Sequence, residues 1–464
     1  MTPEEFRRAA HEAVDWMADY MAHIRELPVL PNMEPGSLVR ALPVEAPREG
    51  EPAERLLAGF RDLIVPASTQ WNHPRFHAYF SVSGAPPGIL AEMLIATLNT
   101  NGMVWKSSPA VTELELVTLG WLRRWLDLPE EFFGIIHDTA SMSTMHALLA
   151  AREYVAPGSR EQGTPAGLTV YTSEHAHSSV EKAAIAVGIG RKQVRKVPVD
   201  AAFRLSVEAL ERLVAADRAA GLRPCCLCPT VGTTSMASVD PVAPLAALAR
   251  REGMWLHVDA AYGGNYAVLP EMAWLRAGWS DADSIVLNPH KGLLTPIDLS
   301  VLYTRRPEVM RSALSLSPEY LRTATDGAAP NLMDYSVALG RRFRSLKLWF
   351  VLRSYGREGL EALLREQLRM ARDLADWVSA DSRFALCAPV ELSLVCFRLK
   401  VGDEASRALM EAVNASGHAF LSHTAIEGRF VIRLSIGNYQ TTAEDMRGTW
   451  ARIQSEADRL AGAA

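Results

Sequence analysis

Cysteine is scarce in this chain, and no charge of one sign dominates it. Five cysteines occur in 464 residues: Cys225, Cys226, Cys228, Cys387 and Cys396. Three share the apolar run Cys225-Cys226-Leu227-Cys228, where neighbours on a strand point to opposite faces. No C-x-x-C follows, so a tetrahedral metal set is not expected. They read as buried structural thiols of a reducing, cytoplasmic compartment. Lys and Arg total 48 against 53 Asp and Glu, a formal charge of −5. That balance gives neither nucleic acid nor an anionic membrane surface a footing. No apolar run reaches the roughly 18 residues that would span a bilayer. The start, Met1-Thr2-Pro3-Glu4-Glu5-Phe6, lacks a basic stretch before an apolar core, so no secretory leader is expected. His175, His177, His257 and His290 show no metal-binding spacing, and metal is not expected. Gly188-Ile189-Gly190 lacks a third glycine and opens no helix after a strand, which excludes the dinucleotide fingerprint. Internal repeats and low-complexity segments are absent too.

What is present suits a globular protein with a sizeable core. Hydrophobic residues make up 48% and charged residues 22%, which excludes disordered, collagen-like and coiled-coil classes. At about 150 residues per domain the length suggests roughly three folding units. Thr2-Pro3-Glu4-Glu5 carries a helix-start signature, and Phe6, Ala10, Val14, Met17, Met21 and Ile24 continue it as an amphipathic stripe. Six prolines between Pro28 and Pro52 predict an extended arm, suited to wrapping a partner subunit. From about Pro87 the pattern is α/β. Strands are predicted at 168–172, 194–199, 225–230, 255–258 and 284–287, and helices at 179–187, 207–219 and 243–252. That alternation implies crossover units and a mainly parallel sheet. The stretch from Tyr320 to Pro330 is a candidate mobile loop. A helix restarts near Leu346, and strands at 392–398 and 430–436 belong to a smaller α+β domain.

In α/β proteins ligands gather beyond the carboxyl ends of the strands. Asp259-Ala260-Ala261-Tyr262 follows one strand and Asn288-Pro289-His290-Lys291 follows another. A lysine that binds an aldehyde cofactor as a Schiff base, with a carboxylate that keeps a pyridine nitrogen protonated, marks pyridoxal phosphate (PLP) chemistry. Taken singly, Asp259 would equally serve as a turn residue and Lys291 as a surface lysine. Asp138-Thr139-Ala140-Ser141-Met142-Ser143-Thr144 opens a helix with small hydroxyl residues. That suits either a phosphate site or simple capping. Gly232-Thr233-Thr234-Ser235 offers further hydroxyls past another strand. His175 and His177, beyond the strand at 168–172, offer imidazoles that can stack on a pyridine face.

Four blocks together resemble the group II PLP-dependent decarboxylases, most closely the aromatic-L-amino-acid branch. They are Asn288-Pro289-His290-Lys291, His257-Val258-Asp259-Ala260-Ala261-Tyr262, His177-Ser178-Ser179-Val180-Glu181 and Gly340-Arg341-Arg342-Phe343-Arg344-Ser345-Leu346-Lys347. The likeness runs over nearly the whole chain. It implies an α/β, fold-type I PLP-dependent transferase fold, with a mostly parallel seven-stranded sheet flanked by helices. The expected organisation is an N-terminal arm packing on the partner subunit (1–84), a large PLP-binding domain (85–355) and a small C-terminal α+β domain (356–464). A homodimer with its site at the subunit interface is implied as well.

The resemblance implies residue roles. Lys291 would form the Schiff base, Asp259 would partner the pyridine nitrogen, and His177 and Ala261 would lie on opposite ring faces. Ala140, Ser141, Thr234, Asn288 and His290 would bind the phosphate or position the ring. Trp71, Tyr79, Phe80 and Val82 match a substrate-pocket segment, and Met103 would reach in from the other subunit. Tyr320 matches a catalytic tyrosine that delivers a proton to Cα; phenylalanine there goes with aldehyde formation in related enzymes. Gly340 matches a position where glycine accompanies an indole. The expected reaction is decarboxylation of an aromatic L-amino acid, tryptophan-like ahead of phenylalanine, tyrosine or DOPA. The alternatives are an aromatic acetaldehyde synthase or a decarboxylase of a non-aromatic amino acid. The chain departs from the family pattern at Gly292, His77 and Val82.

Overall fold

Thr2 Oγ1 accepts the Glu5 N–H at 3.2 Å and Glu5 returns the bond to the Thr2 N–H at 2.7 Å. This capping box satisfies two orphan donors and opens the helix Pro3–His23 where the sequence places it. The computed structural model describes residues 1–316 and 329–462. Contacts divide them into two units: Met1–Ser81 with Ser382–Ala385 and Arg398–Ala464, and Val82–Asp381 with Leu386–Phe397.

The larger unit is built on seven strands: β1 (Phe133–His137), β2 (Leu168–Ser173), β3 (Val194–Val197), β4 (Arg223–Cys228), β5 (Trp255–Asp259), β6 (Ser284–Leu287) and β7 (Ser300–Thr304). Their order is β1-β7-β6-β5-β4-β2-β3. Pairings from β6 through β3 are parallel, while β7 runs antiparallel to both β1 and β6. β1 therefore points the same way as β6. The carboxyl ends of β1, β2, β4, β5 and β6 all reach one edge of the sheet. β4 is buried from Pro224 to Cys228, and Cys225, Cys226 and Cys228 are core residues, in no disulfide. The sequence reading did not place β1 and β7. The expected limits at 84 and 355 both fall inside the larger unit. The second precedes Gly356, where the helix Ser345–Ala380 breaks with φ 64° and ψ 176°.

A second sheet consists of β8 (Phe384–Leu386), β9 (Leu394–Leu399), β10 (Ser422–Ile426) and β11 (Arg429–Ser435), ordered β10-β11-β9-β8, with β10 and β11 wholly in the smaller unit. Glu427 (φ 49°) and Gly428 (φ 74°) join β10 to β11 in a two-residue hairpin, the geometry that favours glycine. Arg25 pairs with Asp445 at 3.0 Å, tying the N-terminal segment to the C-terminal helix Ala443–Gly462. Among the described residues no helix is long and apolar enough to cross a membrane.

Candidate active site

Parallel pairing aligns the ends of β5 and β6, with Asp259 opposite Val286. Asp259 Oδ1 accepts the Ala261 N–H at 3.1 Å, which fixes the carboxylate against its own turn. The Ala261 carbonyl in turn accepts the Asn288 N–H at 3.1 Å, and the Lys291 N–H donates to the Asn288 carbonyl at 2.9 Å. Two backbone bonds thus lock the acid-bearing turn to the lysine-bearing turn. His177, beyond β2, feels both charges. Desolvation lowers its pKa, Asp259 opposes that shift, and Lys291 adds to it. The Ser179 N–H donates to His177 Nδ1 at 3.1 Å, so the neutral ring carries its proton on Nε2. His177, Asp259 and Lys291, far apart in sequence, share one electrostatic neighbourhood.

Beside them lie one unpartnered buried acceptor and several donors, of which the donors fit an anion. Asn288 is 2% exposed, yet its Oδ1 has no hydrogen-bond partner among the described residues. The Leu299 N–H donates to His290 Nδ1 at 3.0 Å, which leaves the proton of the neutral ring on Nε2 as a donor. Burial first, then the Lys291 and Lys347 charges, push the His290 pKa down to about 3. The ring is therefore neutral at physiological pH. At the end of β1 the helix Ala140–Val155 begins without a side-chain cap. The Met142 and Ser143 N–H groups turn to the Thr139 carbonyl, so the Ala140 and Ser141 N–H groups remain for an acceptor outside the helix. Thr234 is exposed beyond β4.

Gly292 and Asn265 show why this lysine is followed by glycine. A Cβ on Gly292 would lie 2.5 Å from the Asn265 Cβ. Asn265 in turn donates to the Ala261 and Tyr262 carbonyls at 3.2 and 3.0 Å. It braces the turn after Asp259 and was not read from sequence, because a lone asparagine inside an apolar loop carries no motif. Glu115 was not read either, and Arg341 was read only as part of a family block. They form a buried pair at 2.7 Å, and both bond Ile136 of β1, the acid to its N–H and the guanidinium to its carbonyl.

The residues expected to shape a substrate pocket are found in both units. Trp71, Tyr79 and Phe80 lie in the smaller unit, where Trp71 stacks on Tyr79 at 5.8 Å and Arg433 covers Phe80 at 5.4 Å. His77 is a core residue there, its Nδ1 donating to the Ser435 carbonyl at 3.1 Å. Val82, Met103 and Gly340 belong to the larger unit. Gly340 lines a cavity of about 490 Å³ with Ile95, Asn99, Asn101 and Arg341. Tyr320 lies outside the described residues. No group of His, Cys, Asp and Glu among the described residues is arranged to hold a metal ion.

Comparison with known proteins agrees with this geometry. Residues 35–400 match the pyridoxal-dependent decarboxylase conserved domain. A phenylacetaldehyde synthase of Arabidopsis thaliana is 40% identical over 479 residues, covering 99% of this chain and 97% of its own. An aromatic-L-amino-acid decarboxylase of Sus scrofa is 38% identical over 480 residues, covering 100% and 98%. Among solved structures, Oryza sativa TDC with PLP and tryptamine superposes with a TM-score of 0.96 at 35% identity, covering 99% of each chain.

Proposed function

The chain belongs to the pyridoxal-dependent decarboxylases, in the family of the aromatic-L-amino-acid enzymes, and from that premise we propose that it converts a tryptophan-like L-amino acid to its arylalkylamine and carbon dioxide. It is a PLP-dependent decarboxylase of fold type I. The observation that carries the finer reading is the space at Gly340. A Cβ there would meet nothing nearer than Asn101 Nδ2 at 4.0 Å, so this position leaves side-chain space, beside a cavity of about 490 Å³ that Lys291, Asp259 and His177 do not line. A neighbour solved with tryptamine supports the same class.

Lys291 would hold the cofactor's aldehyde carbon, and Asp259, braced by the Ala261 N–H, would hold a proton on the ring nitrogen. His177 and Ala261 would flank the ring. Ala140, Ser141, Thr234, Asn288 and His290 would bind its phosphate or position it. When bound, the cofactor supplies the electron sink for the carbanion left as carbon dioxide departs. Trp71, Tyr79, Phe80 and Val82 would shape the substrate pocket, with Met103 contributed by the partner subunit of a homodimer. Tyr320 would deliver the proton to Cα. A tyrosine there favours amine over aldehyde, although an aldehyde synthase stands among the relatives. Five cysteines outside any disulfide support a cytoplasmic, reducing location.

The test is direct. Holoenzyme is incubated with L-tryptophan, 5-hydroxytryptophan, phenylalanine, tyrosine, DOPA and glutamate while carbon dioxide, amine, aldehyde and peroxide are measured. The expected result is equimolar amine and carbon dioxide, with the highest kcat/KM for the indoles. Aldehyde and peroxide as main products, or turnover of glutamate alone, overturn the reading.

A further inference from the structure

The segment Leu386–Phe397 abuts both loops that carry the site. Ser393 Oγ lies 2.8 Å from the Tyr262 hydroxyl and 2.5 Å from that of Tyr266, just beyond Asp259. Leu392 Cδ1 lies 3.0 Å from where a Cβ on Gly232 would stand. Four residues on, the Cys396 thiol donates to the Ser235 carbonyl at 3.5 Å. Gly232–Ser235 is the loop that presents Thr234.

Cys396 stands opposite a second thiol. The Cys387 N–H donates to the Cys396 carbonyl at 2.9 Å, and four residues away on each strand the Lys400 N–H donates to the Arg383 carbonyl at 2.9 Å. Both bonds belong to one antiparallel register, in which Cys387 and Cys396 form a hydrogen-bonded pair with side chains on the same face. The Cα spacing of such a pair is about 5.5 Å, within the span of a disulfide. No disulfide joins them. Cys387 is half-buried, while Cys396 is 1% exposed.

We propose that Cys387 and Cys396 are a redox-modifiable dithiol that sets the Gly232–Ser235 loop, with hydrogen peroxide as the oxidant. The accessible Cys387 sulfur attacks one peroxide oxygen; the O–O bond breaks, Cys387 becomes the sulfenic acid, and one water leaves. The Cys396 sulfur then displaces that oxygen, the S–S bond forms, and a second water carries off the remaining oxygen and the thiol protons. Peroxide is reduced by two electrons and the two thiols are oxidised. Cys396 then has no proton to give Ser235, and its sulfur is drawn towards β8. The loop that presents Thr234 loses a tether. A disulfide with one accessible sulfur is readily reduced by cellular thiols, so the change is reversible. The proposal does not depend on which amino acid is turned over.

Holoenzyme is treated with graded hydrogen peroxide, then dithiothreitol, beside C387S and C387A. Trypsin releases Phe384–Arg398 with both cysteines in one peptide. The wild-type peptide is expected to lose two hydrogens and resist alkylation. Cofactor release, followed by visible absorbance, is expected to quicken several-fold in step, and both changes reverse on reduction. The variants keep their cofactor under the same treatment. Absence of the linkage once peroxide has oxidised Cys387 overturns the proposal. So does a linkage that leaves cofactor release unchanged, or an equal loss of cofactor in both variants.

Discussion

Asp259 is 5% exposed, and the Ala261 N–H fixes one of its oxygens. Asp259→Asn keeps the size and the hydrogen bond but removes the charge that would hold a proton on the ring nitrogen. The expected result is a fall in kcat of about 10²–10³, the scale of losing one preorganised electrostatic contact. Thermal stability should stay near that of the wild type, checked by a melting curve beside single-turnover kinetics. A variant with wild-type kcat would remove Asp259 from the chemistry. Much of this site was legible at the residue scale, because Asp259, Asn288 and Lys291 follow apolar strands where the fold gathers ligands. Asn265 was not. Its role is to fill the volume that Gly292 leaves and to bond two carbonyls, and neither fact is written in local sequence. Sequence alone made Gly292 a departure, whereas packing makes it a requirement.

At the scale of elements, periodicity located most strands but missed several long helices, among them Pro86–Leu98, Pro109–Trp125, Asp403–Ala415 and Ala443–Gly462, while the β6 range 284–287 and the helix 207–219 coincide with their predicted limits. β1 and β7 escaped because each is a five-residue apolar run without a crossover pattern to announce it. β1 matters, since it aims the uncapped helix at the site. It also ends in His137, whose Nε2 lies 3.2 Å from His146 Nδ1, while His146 Nε2 accepts the Val337 N–H at 3.1 Å. That bond makes His146 the donor to His137, an arrangement that requires both rings to be neutral. Burial holds His137 well below its usual range and pushes His146, His257 and His77 down to about 4 and His73 to about 3. His290 belongs to the same set. Each folded pKa lies below the unfolded value of about 6.5. Between those values the unfolded chain binds protons that the native chain refuses, so their stabilisation is complete above pH 6.5 and is lost as pH falls towards 4. Each group contributes a slope of about 1.4 kcal/mol per pH unit. Asp240, which burial pushes up to about 7, works the opposite way over the same range, one group against six. The melting temperature should therefore be flat from pH 7 to 8 and drop steeply between pH 6 and 4.5. Calorimetry across that range checks it, and a level profile would show that these rings are hydrated or paired in solution.

At the scale of the whole molecule, the helix Pro86–Leu98 has two apolar faces. Gly88, Ala91 and Ile95 are buried, while Leu90, Leu94 and Leu98 form a second stripe that is 52%, 42% and 61% exposed. The N-terminal helix adds Phe6 at 59% and Val14 at 43% and buries none of its residues. Contiguous exposed leucines at four-residue spacing ask for a covering surface, and a second copy of the chain is the partner proposed above. Covering a fully exposed leucine contributes about 1.5–3 kcal/mol; these three are about half covered already, so the stripe would supply only part of a dimer's stability. The same helix runs into Asn99–Asn101, which line the cavity beside Gly340. A partner seated on the leucine stripe would therefore close on the segment that also holds Met103. Leu94→Glu places a charge at the centre of that stripe at no cost to the monomer, because the side chain already faces solvent. Light scattering should find twice the chain mass for the wild type and a single chain for the variant. Activity of the variant should fall more than tenfold and recover in part as protein concentration is raised. A wild type that scatters as one chain would break the proposed link between assembly and catalysis, as would a variant that is monomeric and fully active.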